Sequence, residues 1–207
     1  MKERITEKEH LHPGLEIFCG PMFSGKSSQL ITELRRAPHA GLKVIAFTPA
    51  VDDRREKNTI NSDDGAQYPA VTVHNSSEIL DLVSPEHDIV GIDEGNFFDM
   101  GLTDICRELV LRGKRVIVAG LDKDFRGEPF GPMAVLKQEA EDVHSMHAFC
   151  NVCHREASFT QRIKIIDGKR IPANYDDPLI LVGAESDYEA RCRQHHEVPG
   201  RPGKNKS

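Results

Sequence analysis

Residues 20–27 constrain the fold of this 207-residue chain more than any other segment. Their sequence, GPMFSGKS, matches the pattern G-x-x-x-x-G-K-[ST], in which backbone N–H groups surround the phosphates of a nucleotide. Glycine is needed where a Cβ would obstruct these groups, Lys26 supplies a positive charge for the β and γ phosphates, and Ser27 is the expected ligand of Mg²⁺. The apolar run 15–19 predicts a strand entering the loop, and residues 28–37 predict a helix leaving it. The motif requires this strand–loop–helix setting, so the sequence predicts a phosphate-binding loop.

The composition indicates one ordinary globular domain with a small appendage. Hydrophobic residues make up 38% of the chain and charged residues 29%, which supports a core and argues against disorder. The sequence has no apolar run as long as a bilayer span, and residues 1–10 lack the apolar stretch of a secretory signal. The five cysteines then indicate a reducing compartment, so we predict a cytoplasmic protein without membrane association. The net charge of −6 argues against a nucleic-acid polymer as a partner.

Apolar, β-branched segments alternate with helical patterns in the first two thirds of the chain. Strands are predicted at 15–19, 42–47, 89–92 and 115–120, with a weaker one at 70–73, and helices at 27–36, 77–83 and 104–112. This alternation predicts an α/β fold, a P-loop nucleotide-binding open parallel sheet whose ligands bind at the carboxyl ends of the strands. Residues 52–69 show no clear periodicity, and a loop of that length is usually functional or mobile.

The texture of the sequence changes after residue 143, where cysteines, histidines and short strand-like runs replace the alternating pattern. We therefore predict a flexible N-terminal tail at 1–13, an ATP-binding α/β domain at 14–143, a smaller zinc module at 144–200 and a disordered tail at 201–207.

Two carboxylates, Asp93 and Glu94, directly follow the apolar strand 89–92. A strand-terminal aspartate of this kind holds Mg²⁺ in P-loop proteins, directly or through water, which makes Asp93 the candidate. Glu94 would lie close to the transferred phosphate. Two roles stay open for it, polarising a water molecule as in an ATPase or accepting a proton from a substrate hydroxyl as in a kinase.

Two short pairs of soft ligands, CxxC and CxxH, lie in the C-terminal third of the chain. They are Cys150 with Cys153 and Cys192 with His195. Three thiolates and one imidazole suit Zn²⁺ in tetrahedral geometry, and four protein ligands indicate a structural rather than a catalytic metal. His196 is an alternative to His195 as the fourth ligand. Cys19 and Cys106 lie in a predicted strand and a predicted helix, so we expect both to be buried apolar residues.

Together with the run GLDKDFRGEPFG at 120–131, these motifs resemble the cytosolic, zinc-containing (type II) thymidine kinases over nearly all of 16–200. The resemblance implies transfer of the γ-phosphate of ATP to the 5′-hydroxyl of thymidine or deoxyuridine, in the salvage of pyrimidine deoxynucleotides. It implies Glu94 as the general base, Mg²⁺ with ATP, and structural Zn²⁺. It also implies a homotetramer and inhibition by the end product dTTP.

The resemblance also assigns binding residues. For ATP and its phosphates they are Gly20, Pro21, Met22, Phe23, Ser24, Gly25, Lys26, Ser27, Asp52, Arg54, Asp93 and Asn96. For the nucleoside they are Leu121, Phe125, Thr160, Leu179, Ile180, Leu181, Val182, Gly183 and Tyr188. In this assignment Phe125 stacks on the thymine ring, the backbone of 179–183 binds the base, Tyr188 closes the pocket and 163–177 forms a lasso loop over the nucleoside. Met22, Leu121 and Thr160 match positions near the thymine methyl group.

Some positions depart from the family pattern. Many members have glutamine at the position of Asn96, and the family often has histidine at the position of Asp63. Arg162 falls on a family arginine to which we assign no role.

Two other functions are compatible with single motifs: a P-loop ATPase that drives a conformational change, and a zinc module that docks nucleic acid. Acidic net charge and sparse aromatic residues around Cys150 argue against the second.

Overall fold

The computed structural model describes residues 12–50, 58–180 and 187–203. The strands in these ranges are β1 (Gly14–Cys19), β2 (Val44–Pro49), β3 (Thr59–Asn61), β4 (Gln67–Pro69), β5 (Val71–Val73), β6 (Ile89–Ile92), β7 (Arg115–Gly120), β8 (Asp142–Ser145), β9 (Ala148–Phe149), β10 (Glu156–Ala157), β11 (Phe159–Ile166), β12 (Lys169–Pro172) and β13 (Tyr188–Arg191). The α-helices are α1 (Lys26–Arg36), α2 (Ser77–Leu82), α3 (Leu102–Leu111) and α4 (Met133–Glu139). None of the helices in the described ranges is both long and apolar enough to cross a membrane.

Six strands in the described part of the chain form one sheet in the order β5–β2–β6–β7–β1–β8. All of its strand pairs are parallel. The strands in the middle of this sheet are almost entirely apolar because helices cover both faces. The predicted α/β fold with an open parallel sheet is therefore confirmed.

Alternation along β1 shows how the two faces are filled. Ile17 packs with residues of α2, α3 and α4, whereas Phe18 packs on the opposite face with α1. Gly91 on β6 lets α1 approach closely, since a Cβ there would lie 2.8 Å from the side chain of Leu34. These contacts hold the middle and last turns of α1 against the sheet, through Leu30, Ile31 and Leu34.

Three elements of the main domain were not predicted. β8 has only exposed residues, so it lacks the alternation of a half-buried strand, and α4 is a single short helix. The third is the hairpin β3–β4, which lies in the region without periodicity. β8 pairs with β1, so the boundary predicted between residues 143 and 144 falls inside this strand.

Antiparallel strands make up the C-terminal part. β9 pairs with β10, and β11 forms the middle of the three-stranded sheet β12–β11–β13. The first half of β11 pairs with β13 and its second half pairs with β12. The hairpin β11–β12 occupies much of the segment that the resemblance assigns to a lasso loop. Of the predicted tails, residues 1–11 and 204–207 lie outside the described ranges.

Candidate active site

The loop between β1 and α1 has the backbone geometry expected of a phosphate-binding loop. Gly20 has a φ of 154°, and a Cβ there would lie 2.3 Å from the carbonyl oxygen of Met146. Gly25 is left-handed with a φ of 80°, as is Phe23 with a φ of 64°. Only glycine fits at the first position, because a backbone oxygen cannot move aside as a flexible side chain can.

The ammonium of Lys26 lies inside this loop. Its Nζ donates to the carbonyl oxygen of Pro21 at 2.6 Å and lies 3.4 Å from Oγ of Ser24, which itself donates to the Pro21 carbonyl at 2.8 Å. Burial lowers the pKa of Lys26, and nearby carboxylates oppose this effect. The loop therefore concentrates one positive charge where the motif places the β and γ phosphates.

Four carboxylates act electrostatically on the Lys26 ammonium and partly offset the effect of its burial. Glu94 and Asp93 act most strongly on the pKa of Lys26, followed by Asp63 and Asp122. Asp122 is itself paired with Lys123 and Lys137, but the other three acids still outnumber Lys26, and a triphosphate would add further negative charge. A divalent cation is the ordinary means of offsetting such an excess in a phosphate site.

Asp93 joins the end of β6 to the start of α1. It is buried, with 4% exposure, and its Oδ1 accepts a hydrogen bond from Oγ of Ser27 at 3.0 Å. Burial, and then the neighbouring charge of Glu94, raise the pKa of Asp93 to about 7. A hydroxyl and a carboxylate at this spacing are hard oxygen ligands of the kind that Mg²⁺ takes in phosphate sites.

The elevated pKa of Asp93 predicts a pH-dependent stability difference. The pKa of Asp93 is higher in the folded protein than in the unfolded chain, so its protonated carboxyl stabilises the fold. This contribution to stability is complete below about pH 4 and is lost as the pH rises through about 7. As the pH rises from 5 to 8, we expect the unfolding free energy of Asp93→Asn minus that of the parent protein to increase by about 2 kcal/mol. Urea denaturation without nucleotide or Mg²⁺ measures this difference. Asp104→Asn, an exposed change on α3, should show no such trend; an equal difference for Asp93→Asn at both pH values contradicts the expectation.

Glu94 has an unusual backbone conformation. Its φ of 52° and ψ of 40° place it in the left-handed region, which is uncommon for residues other than glycine. Such conformations cost about 1–3 kcal/mol and cluster at functional sites. The side chain is half-buried, and its charge acts on both Lys26 and Asp93. The structure thus brings Glu94, Asp93, Lys26 and Ser27 together at one edge of the sheet.

Asn96 is buried behind this edge. Its Oδ1 accepts a hydrogen bond from the backbone N–H of Leu121 at 2.8 Å, which ties the turn after β6 to the segment after β7. Its Nδ2 is buried and has no hydrogen-bond partner among the described residues. These contacts connect Asn96 with the backbone of a residue assigned to the nucleoside, and its assignment to ATP stays a prediction.

One residue assigned to the nucleoside, Thr160, contacts the phosphate loop directly. The backbone N–H of Met22 donates to Oγ1 of Thr160 on β11 at 3.0 Å, which joins the loop directly to the C-terminal sheet. Phe125 is buried with 4% exposure, and Tyr188 on β13 lies opposite Arg162 on β11.

Other assigned residues are exposed or not described. Leu179 and Ile180 are exposed. The remaining residues with a predicted role, Asp52, Arg54, Leu181, Val182 and Gly183, lie outside the described ranges.

The four predicted metal ligands come together between β9 and β13. Sγ of Cys150 lies 3.6 Å from Nδ1 of His195, Sγ of Cys192 lies 3.3 Å from the same nitrogen, and the sulfurs of Cys153 and Cys192 are 3.8 Å apart. With Zn–S near 2.3 Å and Zn–N near 2.05 Å, tetrahedral zinc places two sulfurs about 3.8 Å apart and a sulfur and a nitrogen about 3.6 Å apart. The cluster could therefore hold zinc.

Two further observations support this assignment. Burial opposes ionisation of the Cys150 thiol, but backbone N–H groups, that of Cys192 first, outweigh it and lower its pKa to about 5. His196 is not part of the cluster: its ring stacks on Phe159 with centroids 4.7 Å apart, and its Nε2 lies 2.9 Å from the carbonyl oxygen of Phe125. The imidazole of the cluster is that of His195, as the spacing favoured.

The other two cysteines and the phenylalanines at 98 and 130 belong to the core. Cys19 and Cys106 are fully buried, and burial raises the pKa of Cys106 to about 12, so neither resembles a reactive thiol. Phe98 and Phe130 are also buried, and Phe97 packs edge-on against Phe130.

Sequence analysis gave no role to Asp122 or Arg126, although both lie in the run 120–131. Asp122 reaches Lys26 electrostatically and pairs with Lys123 and Lys137. Arg126 contacts a segment 51 positions further along the chain, through the carbonyl oxygen of Asp177. Neither relation is visible without the fold, because each depends on which loops meet in space.

Similarity to known proteins extends over most of the chain. Among solved structures, the chain is similar to the ATPase DotB from Legionella pneumophila, with a TM-score of 0.42, 14% sequence identity and coverage of 75% of this chain. The chain spans about half of DotB, 47% of its length. A family model described as thymidine kinase matches residues 14–196, from the first strand of the sheet through the metal cluster. The chain therefore belongs to the thymidine kinase family.

Proposed function

We propose that this protein transfers the γ-phosphate of ATP to the 5′-hydroxyl of thymidine or deoxyuridine. One observation carries the proposal: Glu94 and Asp93 both act electrostatically on Lys26 in the phosphate loop. Glu94 has a left-handed backbone conformation, and Asp93 accepts a hydrogen bond from the Ser27 hydroxyl. A carboxylate in this position can take a proton from an alcohol that attacks a phosphate bound in the loop. Membership of the family supports thymidine phosphorylation as the reaction.

The phosphate loop and the two acids after β6 would have different roles in the reaction. The N–H groups of residues 20–27 and the Lys26 ammonium would bind the phosphates, and Ser27 and Asp93 would hold Mg²⁺. The cation neutralises charge that develops on the transferred phosphoryl group. Glu94 would accept the proton of the 5′-hydroxyl and orient that oxygen toward the phosphorus.

The nucleoside would be bound mainly by stacking and backbone contacts, since a neutral nucleoside offers no charge for recognition. Phe125 would face the thymine ring, the backbone of 179–183 would bind its polar edge, and Tyr188 would close the pocket. The hairpin β11–β12 and the segment after it would exclude water, which otherwise competes with the hydroxyl for the phosphoryl group.

The remaining parts of the proposal concern the protein as a whole. Zinc in the Cys₃His cluster would be structural, because all four coordination positions are filled by protein. We further propose a cytoplasmic homotetramer that acts in the salvage of pyrimidine deoxynucleotides and is inhibited by dTTP.

A phosphate-transfer assay tests the proposed function. Purified protein, ATP with Mg²⁺ and a panel of nucleosides should give the 5′-monophosphates of thymidine or deoxyuridine, and little ADP when the nucleoside is omitted. Purine nucleosides serve as controls within the same panel. Rapid ATP hydrolysis that no nucleoside stimulates would indicate an ATPase and contradict the proposal.

Substitution of Lys26 should weaken ATP binding. Lys26→Ala removes the ammonium from the phosphate loop, and hydrogen bonds of a charged donor contribute about 1.5–3 kcal/mol each. We expect the ATP dissociation constant to rise about 10- to 100-fold, as measured by titration calorimetry with Mg²⁺. Lys43→Ala is the matched control, because Lys43 is exposed and pairs with Glu86 on the surface. Equal ATP affinity in Lys26→Ala and Lys43→Ala would argue against the loop assignment.

A further inference from the structure

Arg126 lies between two aromatic rings. Its guanidinium carbon is 5.2 Å from the ring centroid of Phe125 and 4.9 Å from the ring centroid of Tyr175. A guanidinium between two π-faces is attracted by both rings and loses much of its freedom of rotation. Tyr175 follows the hairpin β11–β12, so this contact connects the loop after β7 with the start of the segment that leads to the proposed base-binding residues.

Hydrogen bonds reinforce the same connection. Nη2 of Arg126 donates to the carbonyl oxygen of Asp177 at 3.0 Å, and the Tyr175 hydroxyl donates to Oε1 of Glu128 at 3.1 Å. The Asp177 carboxylate accepts from Nζ of Lys164 at 2.9 Å. Residues 175–177 are therefore attached both to the loop that carries Phe125 and to β11.

Arg162 makes a second, parallel attachment one residue further along. It is buried with 3% exposure, its guanidinium carbon lies 5.4 Å from the ring centroid of Phe125, and its Nη1 donates to the carbonyl oxygen of Pro178 at 2.5 Å. Two guanidinium groups thus contact the same ring and bond to the successive carbonyl groups of Asp177 and Pro178. Residue 179 follows directly, where the proposed base-binding segment begins.

The loop that carries Arg126 is closed by its own hydrogen bonds. Oδ1 of Asp124 accepts hydrogen bonds from the backbone N–H groups of Arg126 and Glu128 at 2.8 and 2.9 Å. Asp124 also bonds to Glu128 through its own backbone N–H. A guanidinium that extends from such a closed turn can fix the position of what it binds, because its own backbone does not move freely.

We propose that Arg126 is a positioning residue, which holds residues 175–177 against the Phe125 loop so that the nucleoside meets a preformed pocket. This inference rests on the proposed nucleoside kinase function. Arg126 would not contact the reacting atoms, so its loss should weaken nucleoside binding and leave the transfer step intact. In a variant without Arg126, nucleoside binding would have to order the pocket, at a cost in conformational entropy. In the parent protein, folding has already met this cost.

Steady-state kinetics of Arg126→Met and Arg126→Lys test the proposal. In Arg126→Met we expect the nucleoside KM to rise about 10- to 30-fold, with kcat and the KM for ATP within about twofold, because a charged hydrogen bond and two cation–π contacts are lost together. Arg126→Lys keeps the charge and should show an intermediate KM. Zinc content and thermal midpoint confirm that each variant is folded.

Arg193→Met is the matched control. Arg193 is exposed, and its guanidinium carbon lies 5.0 Å from the ring centroid of Phe159, a similar cation–π contact in the same module without a hydrogen bond to residues 175–178 among those described. Its KM should equal that of the parent protein. An unchanged nucleoside KM in Arg126→Met overturns the proposal, and so does a fall in kcat at constant KM. If Arg126→Met does not fold, Tyr175→Phe replaces it, with an expected rise of about threefold from the lost bond to Glu128.

Hydrogen exchange separates failure of this inference from failure of the proposed function. The amides of Tyr175 and Asp177 donate to the carbonyl oxygens of Pro199 and Asn174. Without any substrate, they should exchange at least tenfold faster in Arg126→Met than in Arg193→Met. If no nucleoside is phosphorylated by the parent protein, the proposed function fails, while this measurement still decides the role of Arg126. Equal exchange in the two variants overturns that role.

Discussion

Glu94→Gln should lower turnover about 10²- to 10⁴-fold, the range that general-base catalysis contributes. Glutamine keeps the size and much of the hydrogen bonding of the side chain, but it cannot take a proton at neutral pH. ATP binding should change by no more than about threefold, because the loop and Lys26 supply most of the phosphate contacts. Single-turnover kinetics, with ATP affinity from calorimetry, would measure both quantities.

Glu108→Gln is the matched control for this change. Glu108 is an exposed carboxylate on α3 that pairs with Arg112, so its loss removes one negative charge without touching the phosphate loop. Its turnover should be that of the parent protein. Full turnover in Glu94→Gln would remove Glu94 as the base. A fall in ATP affinity equal to the fall in turnover would show instead that Glu94 acts on nucleotide binding.

The main sheet could be predicted because its central strands are buried on both faces. β1, β6 and β7 consist almost entirely of apolar residues, and loops with few apolar residues separate them from the helices. β8 carries no such pattern, since it lies at the edge of the sheet and all of its residues are exposed. The hairpin β3–β4 was missed for a similar reason, because each of its strands has only three residues.

The candidate site could be predicted where a function requires adjacent residues in the sequence. The phosphate loop, Asp93 with Glu94, and the two ligand pairs are short motifs whose chemistry fixes their spacing. The surroundings of Lys26 could not be predicted in the same way. Asp63 reaches Lys26 only because the hairpin β3–β4 lies against α1, where Nη2 of Arg35 donates to the carbonyl oxygen of Gln67.

The C-terminal part should depend strongly on zinc held by the Cys₃His cluster, because the core around that cluster is very small. Around the predicted metal ligands the buried cluster consists of Ala148, Cys150, Ala157 and Ala190, while Phe159, Ile163, Ala173 and Val198 are buried elsewhere in this part. Three alanines bury little apolar surface, so the hydrophobic effect contributes little around these ligands, and a metal stabilises small modules of this kind. Structural zinc contributes about 10–16 kcal/mol in zinc-finger peptides.

Cys153→Ser should therefore lose zinc and, with it, nucleoside binding. We expect the purified variant to hold well under one equivalent of zinc and its nucleoside KM to rise about 100-fold or more, because β11 and β13 carry Thr160 and Tyr188. ATP affinity should change by less than about threefold, since the phosphate loop belongs to the main sheet and its core. Limited proteolysis should cut the variant within 144–200 before it cuts the main domain.

His154→Asn tests whether these effects come from the metal ligand. His154 follows Cys153, is exposed and has a φ of 58°, a conformation that asparagine tolerates, yet it is not part of the cluster. This variant should keep one equivalent of zinc and the parental KM. One tightly held equivalent of zinc in Cys153→Ser would contradict the four-ligand assignment. Loss of zinc without a change in nucleoside KM would keep the metal site but show that the pocket does not depend on it.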